Sequence, residues 1–347
     1  MEYTDTKYTG TTKIGSVVAC STIASVSHTS TMSYPGIICY HETLDPGFAL
    51  MVVIGTLRKF TVHVEFSNLL GGSGGASAKG SRPSQQDQFA IVLSDHIPVQ
   101  ISDTLALFAV YDGHGSKRVA QHANRHLKRF LFESPAFQAG RYEDAVREAI
   151  SKEESSLLES FRNGDHEFAV SGSTVSLAIV NLTKGILLHL TKSHKPSDPP
   201  ERDRIERAGG SVNYESGTAR LGALNMSRAL GDLQYKNPLD NVGAGPVTRG
   251  QERAAITPAR EQGDLLSSEP SLFRMCLKED HRYILALTTD GVTNVLEDHV
   301  IIDEIMRRHG SGSDVQEIAD ALVRDVTCGS AKDNATCIVV LLDGCLF

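Results

Sequence analysis

Aspartates stand at the ends of four predicted strands, and their side chains are the first candidates for chemistry. Asp87 and Asp333 precede apolar runs, whereas Asp112 and Asp290 follow apolar runs and are each followed by glycine. If neighbouring strands meet at one edge of a sheet, these carboxylates converge and repel one another unless a cation neutralises them. Oxygen ligands without paired cysteines or histidines favour Mg²⁺ or Mn²⁺ over zinc. On the pattern alone, four separate turn or cap aspartates are an equal alternative.

A histidine lies close to one of these aspartates, in the stretch FAVYDGHGS at residues 108–116. Asp112 follows an apolar run that is typical of a buried strand, and the glycines on either side of His114 allow a tight turn before a helix. His114 could therefore donate or accept a proton beside a bound cation. The alternative is that Asp112 caps the helix and that His114 is an ordinary loop histidine.

Strand clusters and helix pairs alternate along the chain, and these elements must position the candidate residues. Apolar or alternating runs predict strands at 59–66, 89–94, 105–111, 172–180, 185–190, 283–291 and 335–342. Helical periodicity predicts helices after Gly115 and at 142–161, 200–210, 298–308 and 314–326. The glycine-rich stretch 69–86 is predicted to be a flexible loop. This mixture indicates an α+β layered architecture.

The domain division predicted from the sequence has two parts. Residues 1–55 are rich in serine and threonine without a sustained period, and we interpret them as an N-terminal extension. Residues 56–347 form the predicted catalytic domain. The stretch 236–264 has no clear period and holds several glycines and prolines, so it is either a functional loop or a disordered insertion.

The composition is that of a globular, intracellular protein. The chain has 347 residues, of which 40% are hydrophobic and 22% charged, and its formal net charge of −8 argues weakly against binding of nucleic acid or anionic membranes. Six cysteines show no C-x-x-C pairing, which favours reduced thiols over disulfides or a zinc site. No apolar run reaches the roughly 18 residues of a membrane span.

Seven stretches in order resemble the motifs of the metal-dependent Ser/Thr protein phosphatases, the protein phosphatase 2C family, over roughly residues 80–342. They are RPSQQDQF, FAVYDGHGS, SGSTVSLAIV, LTKSHKPSDPPERDRIERAGGSV, LNMSRALGD, LALTTDGV and AKDNATCIVV. The resemblance implies an antiparallel β-sandwich flanked by pairs of α-helices, in four αββα layers. It also implies a protein serine/threonine phosphatase that acts on phosphorylated proteins. We expect no nucleic acid partner, a monomer, and a location in the cytoplasm or the mitochondrion.

The resemblance further implies the roles of individual residues. Two Mn²⁺ or Mg²⁺ ions are expected on a set of oxygen ligands: Asp87, Asp112, the backbone carbonyl of Gly113, Asp290 and Asp333. Arg82 is the expected phosphate-binding residue, and His114 is the expected general acid. A hydroxide bridging the metals would attack phosphorus directly, without a phosphoenzyme intermediate.

Several departures from the family pattern stand against full activity. Gln86 replaces a frequent glutamate, and Ser193 and Asn294 stand where the family has carboxylates for a third cation, which argues against a third ion. The family has further strands and a G-D-[ST]-R turn between positions matching Val180 and His194, where this chain has only NLTKGILLHL. Central strands are therefore missing in a shortened variant, or the gene model is imperfect. The alternative function is a pseudophosphatase that acts as a binding or scaffold protein.

Overall fold

The computed structural model describes residues 52–58, 69–189, 193–214, 217–236, 263–278, 281–328 and 333–343. Its strands are β1 Val52–Arg58, β2 Leu70–Ala78, β3 Gln88–Val92, β4 Leu105–His114, β5 Gly172–Asn181, β6 Ile186–His189, β7 Leu230–Gly231, β8 Phe273–Cys276, β9 His281–Thr288 and β10 Ala335–Asp343. Its helices are α1 Arg118–Glu133, α2 Pro135–Gln138, α3 Tyr142–Arg162, α4 Pro199–Arg207, α5 Asp290–Thr293, α6 Asp298–Gly310 and α7 Val315–Thr327.

Two antiparallel sheets form the centre of the protein. The first has the strand order β1-β9-β10-β2, and the second has the order β3-β4-β5-β6-β8, with β7 paired to the start of β5. The strand pairs in both sheets are antiparallel. The predicted strand at 59–66 and most of the loop 236–264 lie outside the described residues.

The alternation of side chains along β4 explains the four layers. Phe108 and Val110 pack against the other sheet, including Leu287 and Ile338, and form the core between the sheets. Residues of opposite parity in β4, such as Leu107, pack against α1 and α3. Both faces of the strand are therefore buried, and for this reason its sequence is continuously apolar. Helices α6 and α7 cover the outer face of the first sheet, so the predicted αββα sandwich is confirmed.

The prediction of a flexible loop at 69–86 is wrong for β2, whose glycines have a packing role. A Cβ on Gly74 would lie 2.5 Å from the Cα of Gln316, because α7 rests directly on the strand. On the other face, a Cβ on Gly75 would lie 2.6 Å from the ring of Phe89. Gln316 also binds the backbone of Gly75 twice, accepting from its N–H and donating to its carbonyl oxygen. Glycine is therefore needed for close approach and not for flexibility.

The ladder on one side of β5 is divided between two short strands. β7 pairs with Gly172 and Ser173, whereas β6 pairs with residues 178–181. β8 then pairs with the other side of β6. This divided edge lies where the sequence is shorter than the family pattern, between Val180 and His194.

The predicted domain boundary at residue 55 falls inside β1, so this strand crosses from the proposed extension into the proposed catalytic domain. The division itself stays a prediction. Within the described ranges, no helix combines the length and the apolar character that crossing a membrane requires.

Candidate active site

Strand register brings the predicted metal ligands to one end of the sandwich. β4 runs to His114, three residues further than predicted, so Asp112 lies within the strand and opposite Thr174. Gln88 pairs with Tyr111, which places Asp87 beside Asp112 at the neighbouring strand end. In the other sheet, Asp290 follows β9 and Asp333 precedes β10, and these two strands are direct neighbours.

Electrostatic interactions show that the four carboxylates lie close together. Burial raises the pKa of Asp87 from 3.8 to about 6, and repulsion from Asp333 adds to the increase. Burial, together with the charges of Asp333 and Asp87, raises the pKa of Asp290 to about 7. Burial and then the charges of the other three raise the pKa of Asp112 well above its usual range. The structure therefore brings together the four aspartates that the sequence singled out.

Two buried threonines orient the Asp87 carboxylate, and the sequence analysis did not identify them. The hydroxyls of Thr289 and Thr336 both donate hydrogen bonds of 2.8 Å to Asp87 Oδ2. Thr336 N–H also donates to Thr289 Oγ1 at 2.9 Å, which ties β10 to the end of β9. The hydroxyl bonds lower the pKa of Asp87 against the larger effect of burial. The available signal was the position of each threonine, next to Asp290 and within three residues of Asp333.

Asn334 is a third residue that the sequence analysis missed. Its side chain is buried, and Oδ1 accepts a 2.8 Å hydrogen bond from the backbone N–H of Gln86. Its Nδ2 donates to the carbonyl oxygens of Lys79 and Ser84 at 2.8 and 3.0 Å. One amide therefore binds both ends of the loop that carries Arg82, and it holds this loop against the start of β10.

Arg82 lies beside the carboxylate centre and in contact with Asp333. Its Nη2 donates a 2.6 Å hydrogen bond to Asp333 Oδ2, and half of the arginine side chain is exposed to solvent. The predicted phosphate-binding residue therefore lies beside one of the predicted metal ligands. Because the guanidinium is planar and has several donors, it suits the recognition of oxyanions.

His114 is held by an aspartate whose role the sequence analysis did not assign. Its Nε2 lies 2.6 Å from Oδ2 of Asp232, which is almost completely buried. Asp232 has φ of +47° and is the only non-glycine residue with positive φ in the described part of the chain. Such strained backbone is common at functional sites. A Cβ on Gly172 would lie 2.0 Å from Asp232 Oδ2, so glycine is required beside this pair.

The glycines that follow Asp112 and Asp290 allow close packing of backbone segments. A Cβ on Gly113 would lie 2.5 Å from the carbonyl oxygen of Gln86. A Cβ on Gly291 would lie 1.8 Å from the carbonyl oxygen of Asn334. These contacts join the strand ends of both sheets around the carboxylates. The interpretation of Asp112 and Gly113 as an ordinary turn pair is wrong, because both belong to β4.

The residues that depart from the family pattern lie in the described chain as well. Asn294 follows α5, and its side chain hydrogen-bonds to the carboxyl group of Asp290, which lowers the pKa of that group. Gln86 is held through its backbone by Asn334. Ser193 is partly buried at the start of the segment that leads to α4.

Known proteins are similar to this chain over most of the two sheets and the helices that cover them. A model of the family described as Protein phosphatase 2C matches residues 72–335, more than half of the chain. The chain is 28% identical over 283 residues to "Probable protein phosphatase 2C 4" of Paramecium tetraurelia, covering 72% of this chain and 87% of that protein. It is also 28% identical over 293 residues to "Protein phosphatase 2C homolog 3" of Schizosaccharomyces pombe, covering 77% and 64%, respectively.

A solved structure with a similar fold is the serine-threonine phosphatase 2C from Toxoplasma gondii. The two structures superpose with a TM-score of 0.61 at 19% sequence identity, over 78% of this chain and 94% of the other. At this level of identity, the likeness concerns the architecture of the sandwich and its helical layers.

Proposed function

The chain belongs to the protein phosphatase 2C family, a family of metal-dependent enzymes, and from this premise we propose how its carboxylate centre acts. The protein is a protein-serine/threonine phosphatase, and the relatives it resembles are named protein phosphatase 2C. Its substrates are phosphorylated proteins, and the bond cleaved is the phosphoester of serine or threonine. The alternative of a non-catalytic scaffold finds no support among these relatives.

The proposed ligands for two Mn²⁺ or Mg²⁺ ions are all oxygen atoms: the carboxylates of Asp87, Asp112, Asp290 and Asp333 and the backbone carbonyl of Gly113. The observation that supports this proposal is the burial of these carboxylates, which together with their mutual repulsion raises the pKa of three of them. Such a group binds a hard cation readily, because the cation removes the repulsion. When bound, the ions would supply positive charge at the phosphoryl oxygens and an acidified water for attack on phosphorus.

Arg82 is the proposed phosphate-binding residue. It extends from a loop fixed by Asn334 and reaches Asp333, one of the proposed metal ligands. A guanidinium there can donate two hydrogen bonds to phosphoryl oxygens and orient the phosphate for in-line attack. Its contact with Asp333 orients the guanidinium before substrate arrives.

His114 is the proposed general acid, and Asp232 is a positioning residue for it. The carboxylate holds Nε2 at 2.6 Å and thereby fixes the plane and the rotation of the imidazole. His114 Nδ1 is buried and makes no hydrogen bond within the described chain. In the proposed reaction the imidazole donates its proton to the departing serine or threonine oxygen. Protonation avoids the release of a poorly stabilised alkoxide.

The decisive experiment measures phosphate release from a phosphothreonine peptide by the full chain, with Mn²⁺ and with EDTA. We expect release with Mn²⁺, none with EDTA, and a loss in Asp290→Asn. Asp320→Asn, which changes an exposed aspartate on α7, is the matched control and should retain activity. No release by a folded protein with Mn²⁺ would contradict the proposed function, and equal release by Asp290→Asn would contradict the proposed metal ligands.

A further inference from the structure

A second group of possible metal ligands lies in the helical layer, on different residues from the carboxylate centre. His122 and His126 are four positions apart on α1, so both face the same side of the helix. Glu153, on α3, lies opposite them. One ligand atom from each of the three residues lies within 4.8 Å of the others.

The contacts in this group leave hydrogen-bonding capacity unused. His122 Nδ1 lies 2.6 Å from Glu153 Oε1. His126 Nδ1 lies 3.0 Å from His122 Nε2, in a nearly perpendicular arrangement of the rings. Glu153 is completely buried, and its Oε2 has no hydrogen-bond partner in the described part of the chain. A buried carboxylate oxygen without a partner is costly, and a cation is one way to satisfy it.

A neutral imidazole is the form of histidine that binds metals, and the surroundings of His126 favour that form. Burial, followed by the charge of His122, lowers the pKa of His126. Phe168 packs against the edge of His122 and shields one side of the group. Both histidines are only partly buried, so solvent reaches the group from the other side.

We propose that His122, His126 and Glu153 form a second metal site, which binds Zn²⁺. Two imidazole nitrogens and one carboxylate are a common ligand set for zinc, with a water in the fourth position. Mg²⁺ prefers oxygen ligands, so this site and the carboxylate centre select different ions. The proposal concerns a site outside the phosphatase reaction and does not depend on the proposed function.

The position of the site gives it a structural consequence. A bound ion would link α1 to α3, which meet through apolar packing and through the contacts of His122 with Glu153 and Ser156. The next residue on α3, Glu154, accepts hydrogen bonds from the backbone of Gly231 at 2.9 Å and from Lys236 at 2.8 Å. Gly231 directly precedes Asp232, so zinc would stabilise the helix pair that supports this positioning residue.

The test is calorimetric titration of the metal-free full chain with Zn²⁺, in excess Mg²⁺ so that the carboxylate centre is occupied. We expect one equivalent of Zn²⁺ to bind and the melting temperature to rise. His126→Gln should weaken binding by more than tenfold, because loss of a ligand exceeds the roughly 10–100-fold cost of losing an outer-shell partner. Asp290→Asn should leave this equivalent in place.

His299→Gln is the matched control, because His299 is exposed and lies 3.4 Å from a carboxylate oxygen of Glu297, with no third candidate ligand among the described residues. It should bind Zn²⁺ as the unchanged chain does. His122→Gln is a second ligand variant. It tests the site independently if His126→Gln is itself less stable than the unchanged chain in the absence of zinc. Absence of binding, or equal affinity in both ligand variants and the unchanged chain, would overturn the proposal. Loss of the equivalent in Asp290→Asn would assign the bound zinc to the carboxylate centre and would overturn it as well.

Discussion

Replacement of a proposed metal ligand should stabilise the metal-free protein, although it should also abolish activity. Asp290 is almost completely buried, and burial together with the charges of Asp333 and Asp87 raises its pKa. Above that pKa the folded state holds an ionised group that the unfolded state solvates better. Asp290→Asn removes the charge and keeps the shape of the side chain, so it should relieve the repulsion.

The magnitude follows from the size of the pKa increase. The pKa of Asp290 rises from 3.8 to about 7. At about 1.4 kcal/mol per pKa unit, ionisation of Asp290 lowers the free energy of unfolding by about 4 kcal/mol at pH 8. Because the repulsion is shared among neighbouring carboxylates and the amide must also be buried, we expect Asp290→Asn to gain about 2–3 kcal/mol.

The sign of the pH dependence is fixed by the same increase. A carboxyl group with a raised pKa in the folded state binds its proton more tightly there, so its contribution destabilises the fold as pH rises. Below the unfolded pKa of 3.8, both states are protonated and the group contributes nothing. The difference between Asp290→Asn and the unchanged chain should therefore open between about pH 4 and pH 7.

Urea denaturation in EDTA at several pH values measures this difference. In Mn²⁺ the unchanged chain should be the more stable of the two, because bound Mn²⁺ stabilises the folded state and Asp290→Asn lacks one of the proposed ligands. Asp320→Asn should stay within about 0.5 kcal/mol of the unchanged chain under all conditions. If Asp290→Asn were no more stable than the unchanged chain at pH 8 in EDTA, the inferred repulsion at the carboxylate centre would be refuted.

Three further predictions concern the acid and the packing. His114→Ala should lower kcat by roughly 10²–10⁴-fold while the half-saturating Mn²⁺ concentration stays the same, and a lost Mn²⁺ response would instead indicate damage to the centre. Asp232→Asn should also lower kcat, and adding it to His114→Ala should cost little more, since both act through one proton donor; additive losses in the double variant would contradict this coupling. Gly74→Ala should lower the free energy of unfolding in urea by about 1–3 kcal/mol through overlap with α7, whereas unchanged stability would show that the helix can move away.

Much of the fold could be predicted because its strands are buried on both faces. β4 is continuously apolar for this reason, and the helices that cover it have clear helical periodicity. β2 was missed because its small residues are required by the close packing of α7. This contact joins segments that are distant in sequence, so no local sequence pattern reveals it. The register between paired strands cannot be read from a single sequence either. For this reason the sequence predicts that β4 ends at Tyr111, whereas it ends at His114.

The charged residues of the candidate site could be predicted from the sequence. The residues that fix their side chains by hydrogen bonds could not. The aspartates stood out because each adjoins an apolar strand. Thr336 and Asn334 act through hydrogen bonds to distant segments, and such partners depend on the assembled sheets. Asp232 was visible in the motif LNMSRALGD, but its left-handed backbone and its contact with His114 arise only in the fold.

The pairing of Gln316 with Gly75 also affects how copies of the chain can meet. β2 lies at the edge of its sheet, where exposed backbone groups commonly recruit a strand from another molecule and start aggregation. The Gln316 amide bonds both the N–H and the carbonyl oxygen of Gly75. An incoming strand would have to displace this side chain, and the start of α7 stands in its way. One glutamine thus protects a glycine-rich edge against intermolecular sheet growth.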